Sequence, residues 1–463
     1  MAHQALRQRS GRGLRGGSWQ RAWASAALLT LVAGELAACE KKPAPEQVQR
    51  AVQLTALTLA AAPGSSLPNL RTAADGSVLV SWTEPVVPAG TAGSAQPSSP
   101  AAAHALRWAE LSPSGFGPPA TVATGTDWLI NWADFPSVTR LGPRTLLAHW
   151  LRKRKPPSGK GMAGYDIELT RSDDGGGTWS LPWRPHGDDT ETEHGFVSVV
   201  PRGQGGALVL WLDGRAFAGL DEEGAEQRAS MALRYAVLEP SAGGGDAAAR
   251  AVDTSLELDP RTCSCCQTAA VATGDAVLVA YRDRSADEIR DIAVTRFAGG
   301  RWSAPALVHA DGWHIDGCPV NGPALAARGQ RVAVAWYTAA GEQPQVKLAL
   351  SEDGGVTFGA PVRIDQGNPQ GRVDVALAGE LAVVSWQELA GPVVELRVRA
   401  VELRGATPAA RASQPIAAVA AGRVSGFPQL AVQGGDAILV WTNADAGGKT
   451  AVAAARIALS ALR

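Results

Sequence analysis

Residues 323–336 read Pro323-Ala-Leu-Ala-Ala-Arg-Gly-Gln-Arg-Val-Ala-Val-Ala-Trp336. A proline opens a short apolar segment, Gly329 lies at a turn, and a second, alternating segment ends in a tryptophan. Two such segments on either side of a glycine turn predict a β-hairpin. The pattern occurs seven times, in residues 68–82, 136–150, 195–211, 268–281, 323–336, 373–386 and 428–441.

The spacing of these hairpins predicts the fold. Their closing aromatic residues stand roughly 50 to 70 residues apart, a period typical of propellers whose blades hold four short strands. Most hairpins are followed by a second one, which completes four strands. The last copy offers only three strands, and residues 52–59 supply a fourth that closes the ring and removes two exposed edges. We therefore predict an all-β protein with a single β-propeller over residues 51–463, with seven blades preferred and six as the alternative.

The first 50 residues predict export. Five arginines and no acid precede an apolar run over residues 22–34, followed by Leu36-Ala-Ala-Cys39. The run is shorter than the roughly 20 residues that a membrane-spanning helix needs. Residues 36–39 resemble the lipobox of bacterial lipoproteins, which implies cleavage before Cys39 and its lipidation. We expect a signal peptide (1–38), a lipidated cysteine with a tether (39–50) and a place in the bacterial cell envelope, periplasmic or surface-facing, with membrane contact through the lipid only.

The charge composition limits the classes of binding partner that we expect. The 463 residues contain 43 Lys and Arg against 44 Asp and Glu, for a formal charge of -1. This balance gives no electrostatic reason to expect nucleic-acid binding. Residues 85–103 have no periodicity, and we predict a flexible loop there.

Two turns of the repeat share the motif S-x-D-x-G-x-T-[WF]. In such a turn the aspartate accepts backbone N–H bonds and the glycines adopt positive φ. The matching residues are Ser172, Asp174, Gly176, Thr178 and Trp179 in one copy, and Ser351, Asp353, Gly355, Thr357 and Phe358 in the other. These turns resemble the Asp-boxes, or bacterial neuraminidase repeats, of sialidases and related propellers, over residues from about 51 to 460. The resemblance implies that the boxes are fold elements remote from an active centre.

The same resemblance implies a glycosidase for acidic glycans. Family members bind the substrate carboxylate with three arginines and use a tyrosine nucleophile paired with a glutamate, and an aspartate acid/base. Here Ser66 stands where the first arginine belongs, and no tyrosine begins a late blade. Residues 277–284 resemble one arginine strand of the family. The sequence therefore predicts an exo-α-sialidase-like glycoside hydrolase without the standard first arginine and tyrosine nucleophile.

Side chains that could take part in catalysis or binding are concentrated in loops on one face of the predicted propeller. These are the loops that precede the first strand of a blade or follow the second. The candidates for catalysis are Asp134, Glu193, Asp213 and Asp316. The candidates for substrate binding are Arg215, Arg282, Arg284, Trp132, Trp313, Asn321 and Tyr337. Such convergence is typical of a ligand pocket. The alternative is that Asp213 with Arg215, and Asp283 with Arg284, are ion pairs that support loops between blades.

Four cysteines remain once Cys39 is assigned to lipid. Cys263, Cys265, Cys266 and Cys318 are an even number in an exported protein, so two disulfides are the first expectation. Bridges between residues this close in sequence are strained. One disulfide with a reactive pair is the second alternative. The third is a Cu(I) or Zn site that also uses His314 or His194.

Three functions follow from these observations. The first is the glycoside hydrolase. The second is a propeller that holds a glycan or protein on one face without turnover. The third is a metal-handling lipoprotein centred on the cysteine loops.

Overall fold

We describe the protein from a computed structural model that covers residues 52–86, 103–154, 164–220, 229–240, 255–405 and 407–463. The predicted signal peptide and tether, with Cys39, lie outside these residues, as do residues 87–102 of the predicted flexible loop. No helix in the described ranges has the length and apolar character that crossing a bilayer requires.

The described residues form seven antiparallel sheets, one per predicted hairpin. Blade 1 contains β2 (Ser66–Thr72), β3 (Val78–Pro85), β4 (His104–Ser112), β5 (Gly115–Phe116) and β6 (Ala120–Gly125). Blade 2 contains β7 (Ser137–Arg140), β8 (Leu146–Lys153) and β9 (Tyr165–Ser172). Blade 3 contains β10 (His194–Arg202), β11 (Gly206–Asp213), β12 (Met231–Leu238) and β13 (Leu256–Thr262). Blade 4 contains β14 (Ala269–Thr273), β15 (Ala276–Arg282), β16 (Ile292–Ala298), β17 (Arg301–Trp302) and β18 (Ala306–Leu307).

The remaining blades follow the same order. Blade 5 contains β19 (Ala324–Arg328), β20 (Arg331–Thr338), β21 (Gln345–Ser351) and β22 (Val362–Arg363). Blade 6 contains β23 (Pro369–Ala378), β24 (Leu381–Ala390), β25 (Val393–Glu402), β26 (Ala409–Ala410) and β27 (Gln414–Val419). Blade 7 contains β28 (Gln429–Gln433), β29 (Asp436–Ala444), β30 (Thr450–Ala458) and β1 (Thr55–Ala56). Short 3-10 helices span Arg215–Phe217, Ala340–Glu342, Gly422–Ser425 and Leu459–Leu462.

The sheets form a closed ring of seven blades, as predicted. The N-terminal strand β1 pairs with β30, with Thr55 opposite Arg456, and so completes blade 7 from the other end of the chain. The first strands of successive blades contact one another in turn, and β28 of blade 7 contacts β2 of blade 1. In blade 2 the outermost strand is reduced to one bridge between Leu169 and Trp183.

The core lies between the blades. Seven clusters of buried apolar residues occur in the described chain, one for each interface between neighbouring blades, from blades 1 and 2 around to blades 7 and 1. Leu278 of blade 4, for example, packs with Val332 and Trp336 of blade 5. The seven predicted closing aromatics are all buried, namely Trp82, Trp150, Trp211, Tyr281, Trp336, Trp386 and Trp441.

Three of these tryptophans bond to an acid two residues farther along the strand. The indole N–H donates to a carboxylate on the same face of the strand, because side chains two residues apart point to the same side. The pairs are Trp82 with Glu84 at 2.8 Å, Trp211 with Asp213 at 2.9 Å and Trp386 with Glu388 at 2.6 Å. The acid at this position is therefore a recurring part of the blade.

The two Asp-box turns lie between the third and fourth strands of blades 2 and 5. In the second copy, Asp353 accepts N–H bonds from Val356 at 3.0 Å and Thr357 at 2.9 Å, and a bond from the Ser351 hydroxyl at 2.6 Å. Gly355 has φ +85 and lies so close to Leu278 that a Cβ would be 2.5 Å from that side chain. The turn therefore fixes the outer edge of one blade against its neighbour.

Candidate functional site

We call the face that holds the loops before the first strands and after the second strands the front face. Backbone hydrogen bonds join these loops within a blade. Gly214 N–H, after β11, donates to the carbonyl of Glu193, before β10, at 2.8 Å. Cys263 N–H, before β14, donates to the carbonyl of Arg282, at the end of β15, at 3.0 Å. In blades 3 and 4, the loop before the first strand and the loop after the second therefore lie side by side.

Asp134, Glu193 and Tyr165 form an acidic cluster on this face. Asp134 is buried, and its Oδ2 accepts the Phe196 N–H at 2.7 Å. Tyr165 is also buried and forms a parallel bridge with half-buried Glu193. Gly195 allows this packing, because a Cβ there would be 2.1 Å from Asp134 Oδ2 and 2.9 Å from the Tyr165 ring.

Burial sets the protonation of the cluster. It raises the pKa of Asp134 to about 7, and the charge of Glu193 adds to the rise, while the bond from Phe196 opposes it. Burial also raises the pKa of Glu193, although neighbouring His194 opposes that shift. The pKa of Tyr165 is raised by burial and by the nearby Glu193 and Asp134. The cluster thus holds a carboxyl that titrates near neutral pH and a phenol that stays protonated.

The contact of Asp134 has a counterpart three blades away. Phe196 and Arg372 each follow a glycine where the first strand of a blade begins with a bulge, and both have φ 55. The N–H of Arg372 donates to Asn321 Oδ1 at 2.8 Å, just as that of Phe196 donates to Asp134. An uncharged side chain therefore suffices for the structural part of this contact.

Asp213, Arg215 and His194 belong to a second, closed network. Arg215 Nε donates to Asp213 Oδ1 at 2.7 Å, and its Nη2 lies 2.9 Å from Asp188 Oδ2. His194 Nε2 bonds to the same Asp188 oxygen at 3.0 Å, and its ring stacks on that of His186 at 3.9 Å. The predicted catalytic acid, substrate arginine and metal-ligating histidine thus belong to one largely buried network. Asp213 with Arg215 agrees with the ion-pair alternative, whereas Arg284 pairs with Glu288 in place of Asp283.

Arg282 supports loops. Its buried guanidinium donates to the carbonyls of Asn321 at 2.9 and 2.7 Å, Arg290 at 2.6 Å and Tyr337 at 2.7 Å. It also lies 4.8 Å from the centre of the Trp313 ring, which is buried. Four of its five N–H groups are used in this way, so Arg282 has little capacity left for a substrate carboxylate.

Three further predicted residues are Arg284, His314 and Asp316. Arg284 forms an ion pair with Glu288 at 2.7 Å. The side chains of His314 and Asp316 are exposed. The structure does not bring these two together with the acidic cluster.

Trp132 lies beside an arginine that the sequence analysis did not select. The Arg372 guanidinium lies 4.8 Å from the centre of the Trp132 ring and donates to Ser425 Oγ at 2.6 Å. Burial lowers the pKa of Arg372 to about 10. No carboxylate in the described chain forms an ion pair with it. Arg372 therefore contacts the loop that also carries Asp134.

The cysteine loop completes the front face. No disulfide joins Cys263, Cys265, Cys266 or Cys318 in the described chain. The Sγ of Cys263 lies 2.7 Å from that of Cys266 and 3.8 Å from that of Cys265. Directly after this loop, Gln267 donates to the Ala133 carbonyl at 2.5 Å, which joins it to the loop of Asp134.

Sequence reasoning missed Tyr165, Gln267 and Arg372. The signal for Arg372 was available, because Gly371-Arg372 repeats the position of Gly195-Phe196 at the start of a blade. Tyr165 and Gln267 carry no such signal, since their roles depend on contacts with distant loops.

No family model matches this sequence, and no curated protein matches it. Solved structures with a similar fold include an α-L-arabinofuranosidase of Fusarium graminearum (15% identity, TM-score 0.43, 72% of this chain and 95% of the other). They also include an α-L-arabinanase of Penicillium chrysogenum (12% identity, TM-score 0.45, 88% of this chain and 99% of the other). A third is a Trypanosoma rangeli sialidase (10% identity, TM-score 0.42, 74% of this chain and 56% of the other). At identities this low the likeness concerns the arrangement of strands. The chain has the fold of a seven-bladed β-propeller.

Proposed function

We propose that this protein is a glycoside hydrolase whose acid and base are Asp134 and Glu193. One observation supports the assignment: two carboxyls share a buried cluster, and burial raises the pKa of Asp134 to about 7. Glycoside hydrolysis needs one protonated carboxylic acid for the leaving oxygen and one carboxylate as base or nucleophile. The two environments divide these roles, because the fully buried Asp134 keeps its proton longer than the half-buried Glu193.

Each group has a defined task in the proposed reaction. Asp134 donates its proton to the glycosidic oxygen. Glu193 activates water or attacks the sugar carbon, according to the separation of the two carboxyls when substrate is bound. Tyr165 remains a neutral phenol and a hydrogen-bond donor beside both groups.

The positive charge of Arg372 favours an acidic glycan as the substrate. This residue is a buried cation that no described carboxylate neutralises, and it packs on Trp132, an aromatic surface suited to a sugar ring. Arg215 and Arg284 are paired with acids, and Arg282 uses four of its five N–H groups for carbonyls. Arg372 donates to Ser425 Oγ and to the carbonyls of Gly422 and Gly426, but it pairs with no described acid. We therefore assign recognition of the glycan's negative charge to Arg372 in place of the other three arginines.

The experiment is a screen for turnover with matched variants. Fluorogenic glycosides of neutral and acidic sugars and acidic polysaccharides are incubated with the full-length protein at pH 6 to 7. Released sugar that disappears in Asp134→Asn and Glu193→Gln, but persists in Asp353→Asn, supports the proposal. Asn321 shows that an amide can accept the corresponding N–H, so Asp134→Asn is expected to fold. Saturable glycan binding without any product would instead favour a non-catalytic propeller.

The location in the cell is a separate proposal. Cys39 in its lipobox-like context supports a lipid anchor that holds the propeller at the bacterial envelope. Labelling with a fatty-acid analogue should modify the wild type and leave Cys39→Ser unlabelled. Label in both proteins, or in neither, would contradict the anchor.

A further inference from the structure

Three cysteine side chains of one loop converge beside the acidic cluster. The thiols of Cys263, Cys265 and Cys266 can each offer a sulfur within 4.8 Å of the other two. Cys263 and Cys266 are buried, and Cys265 is half-buried. The N–H of Cys263 is held by the Arg282 carbonyl, so the loop begins at a fixed point on β15. Three convergent sulfurs on one anchored loop form a preorganised ligand set.

A fourth sulfur comes from the loop between β18 and β19. Cys318 is exposed, and its thiol lies near that of Cys265, although it does not belong to the three sulfurs that lie within 4.8 Å of one another. The loop that carries it is tied to its surroundings at Asn321, whose carbonyl accepts bonds from Arg282 at 2.9 and 2.7 Å. Residues of two different blades therefore meet at the same place.

Positive charge lies next to the Cys263 sulfur. Arg290 Nη1 lies 3.8 Å from the Cys263 sulfur, and the same guanidinium is paired with Glu288 at 2.7 Å. Arg282, whose carbonyl accepts the Cys263 N–H, also has a buried guanidinium. Positive charge next to a thiol stabilises the thiolate, which is the form that binds metals.

The spacing fits a shared ion. Tetrahedral Zn–S bonds of about 2.3 Å place sulfurs about 3.8 Å apart. The distance between the sulfurs of Cys263 and Cys265 is 3.8 Å, whereas that between Cys263 and Cys266 is 2.7 Å. The second pair must open to share an ion or close further to form a disulfide bond of about 2.05 Å. The test therefore has to separate metal from disulfide.

The His186 and His194 cluster does not offer an equal site. Its carboxylates at Asp188 and Asp213 are already paired with the guanidinium of Arg215. The two imidazoles are stacked face to face with an interplanar angle of 4°, so their in-plane lone pairs do not converge on one ion. The cysteine cluster is the better ligand set of the two.

We propose that Cys263, Cys265, Cys266 and Cys318 bind one thiophilic metal ion, Zn²⁺ or Cu⁺, with Cys318 as the ligand at the exposed side. All four ligands are thiolates, which suit these soft or borderline ions. This site is independent of the proposed glycosidase activity and lies beside its acidic cluster.

The experiment is a competitive titration of the reduced, full-length protein. Zn²⁺ and, under anaerobic conditions, Cu⁺ are each titrated in the presence of a chromophoric chelator. We expect one equivalent of Zn²⁺ or Cu⁺ to bind. The double variant Cys263→Ser/Cys266→Ser should weaken that binding by about 100-fold or more. Ser264→Ala, in the same loop, is the matched control and should bind as the wild type does.

Two further measurements keep the result decisive. If the double variant does not fold, Cys318→Ser replaces it, and a loss of affinity in that variant supports the site. Thiol alkylation with peptide mapping of unreduced protein shows whether the four cysteines are paired. No binding of either ion to the reduced wild type would overturn the proposal, as would disulfides at all four cysteines in protein from an oxidising compartment. Binding unchanged in Cys263→Ser/Cys266→Ser would overturn it as well.

Discussion

Asp134 on the front face and Asp353 in an Asp-box turn are the same residue type in opposite environments. Asp353 is exposed and accepts bonds from Ser351, Thr357 and Val356, led by the Ser351 hydroxyl, which hold its pKa well below the usual range. Asp134 is buried with a single N–H bond, and its pKa is raised to about 7. The first is committed to its charged form, whereas the second can change protonation near neutral pH.

The difference follows from position in the blade. The Asp-box lies in a turn at the outside of the ring, where local backbone groups satisfy the carboxylate and water surrounds it. The Asp134 loop meets the loops of Tyr165 and Glu193 on the front face, where neighbouring chain segments exclude water. One position is therefore suited to holding a turn and the other to proton transfer.

The largest expected effect is on turnover. We predict that Asp134→Asn lowers kcat/KM by about 10²- to 10⁴-fold, because the amide keeps the bond from Phe196 but has no proton to give. Asp353→Asn should leave kcat/KM within about twofold, because this carboxylate is remote from the acidic cluster. Steady-state kinetics on the substrate found in the screen measure both. Equal losses in the two variants would remove the distinction between the two regions.

The second effect is on the pH dependence of stability. The pKa of Asp134 is higher in the folded protein than in the unfolded chain, so its favourable contribution is present below about pH 4 and is lost as the pH rises through about 7. We predict that the free energy of unfolding of the wild type relative to Asp134→Asn falls between pH 4 and 8, by at most about 4 kcal/mol. Denaturant unfolding at several pH values measures this difference. A pH-independent difference would show that Asp134 titrates normally.

The third effect is smaller and opposite in sign. The pKa of Asp353 is lowered on folding, so its contribution is present above about pH 4 and is lost as the pH falls through the lowered pKa. We predict that Asp353→Ala loses about 1 kcal/mol of stability at pH 7 through the missing turn bonds. This deficit should shrink in strong acid. A deficit that grows on acidification would contradict the proposed role of the turn.

Much of the fold could be predicted because its signals are local. The strand pairs, their closing aromatics and the Asp-box turns each depend on residues a few positions apart, and the period of the repeat gave the seven blades. The ring closure by residues 52–59 followed from one missing strand in the last blade. These features need no knowledge of which loops meet in space.

The candidate site was harder to predict because it depends on contacts between loops. Asp213 and Arg215 looked like catalytic and substrate-binding groups, but they pair with each other, and Asp213 also accepts a bond from the Trp211 indole. Comparison of blades would have shown this, because Glu84 and Glu388 occupy the position of Asp213 after other tryptophans. Gly371-Arg372 repeats the position of Gly195-Phe196, but Arg372 was overlooked because its contacts with Trp132 and Ser425 come from distant loops.

The most direct test is the titration of Asp134 itself. Protein labelled with ¹³C at the aspartate carboxyl carbons is titrated by NMR from pH 3 to 9, and Asp134→Asn identifies the resonance that belongs to this residue. The account predicts a midpoint near pH 7 for Asp134, while the Asp-box carboxylates titrate below the ordinary range. A midpoint at or below about 4 for Asp134, the value of an ordinary aspartate, would contradict the assignment of the front face as the site of acid/base chemistry.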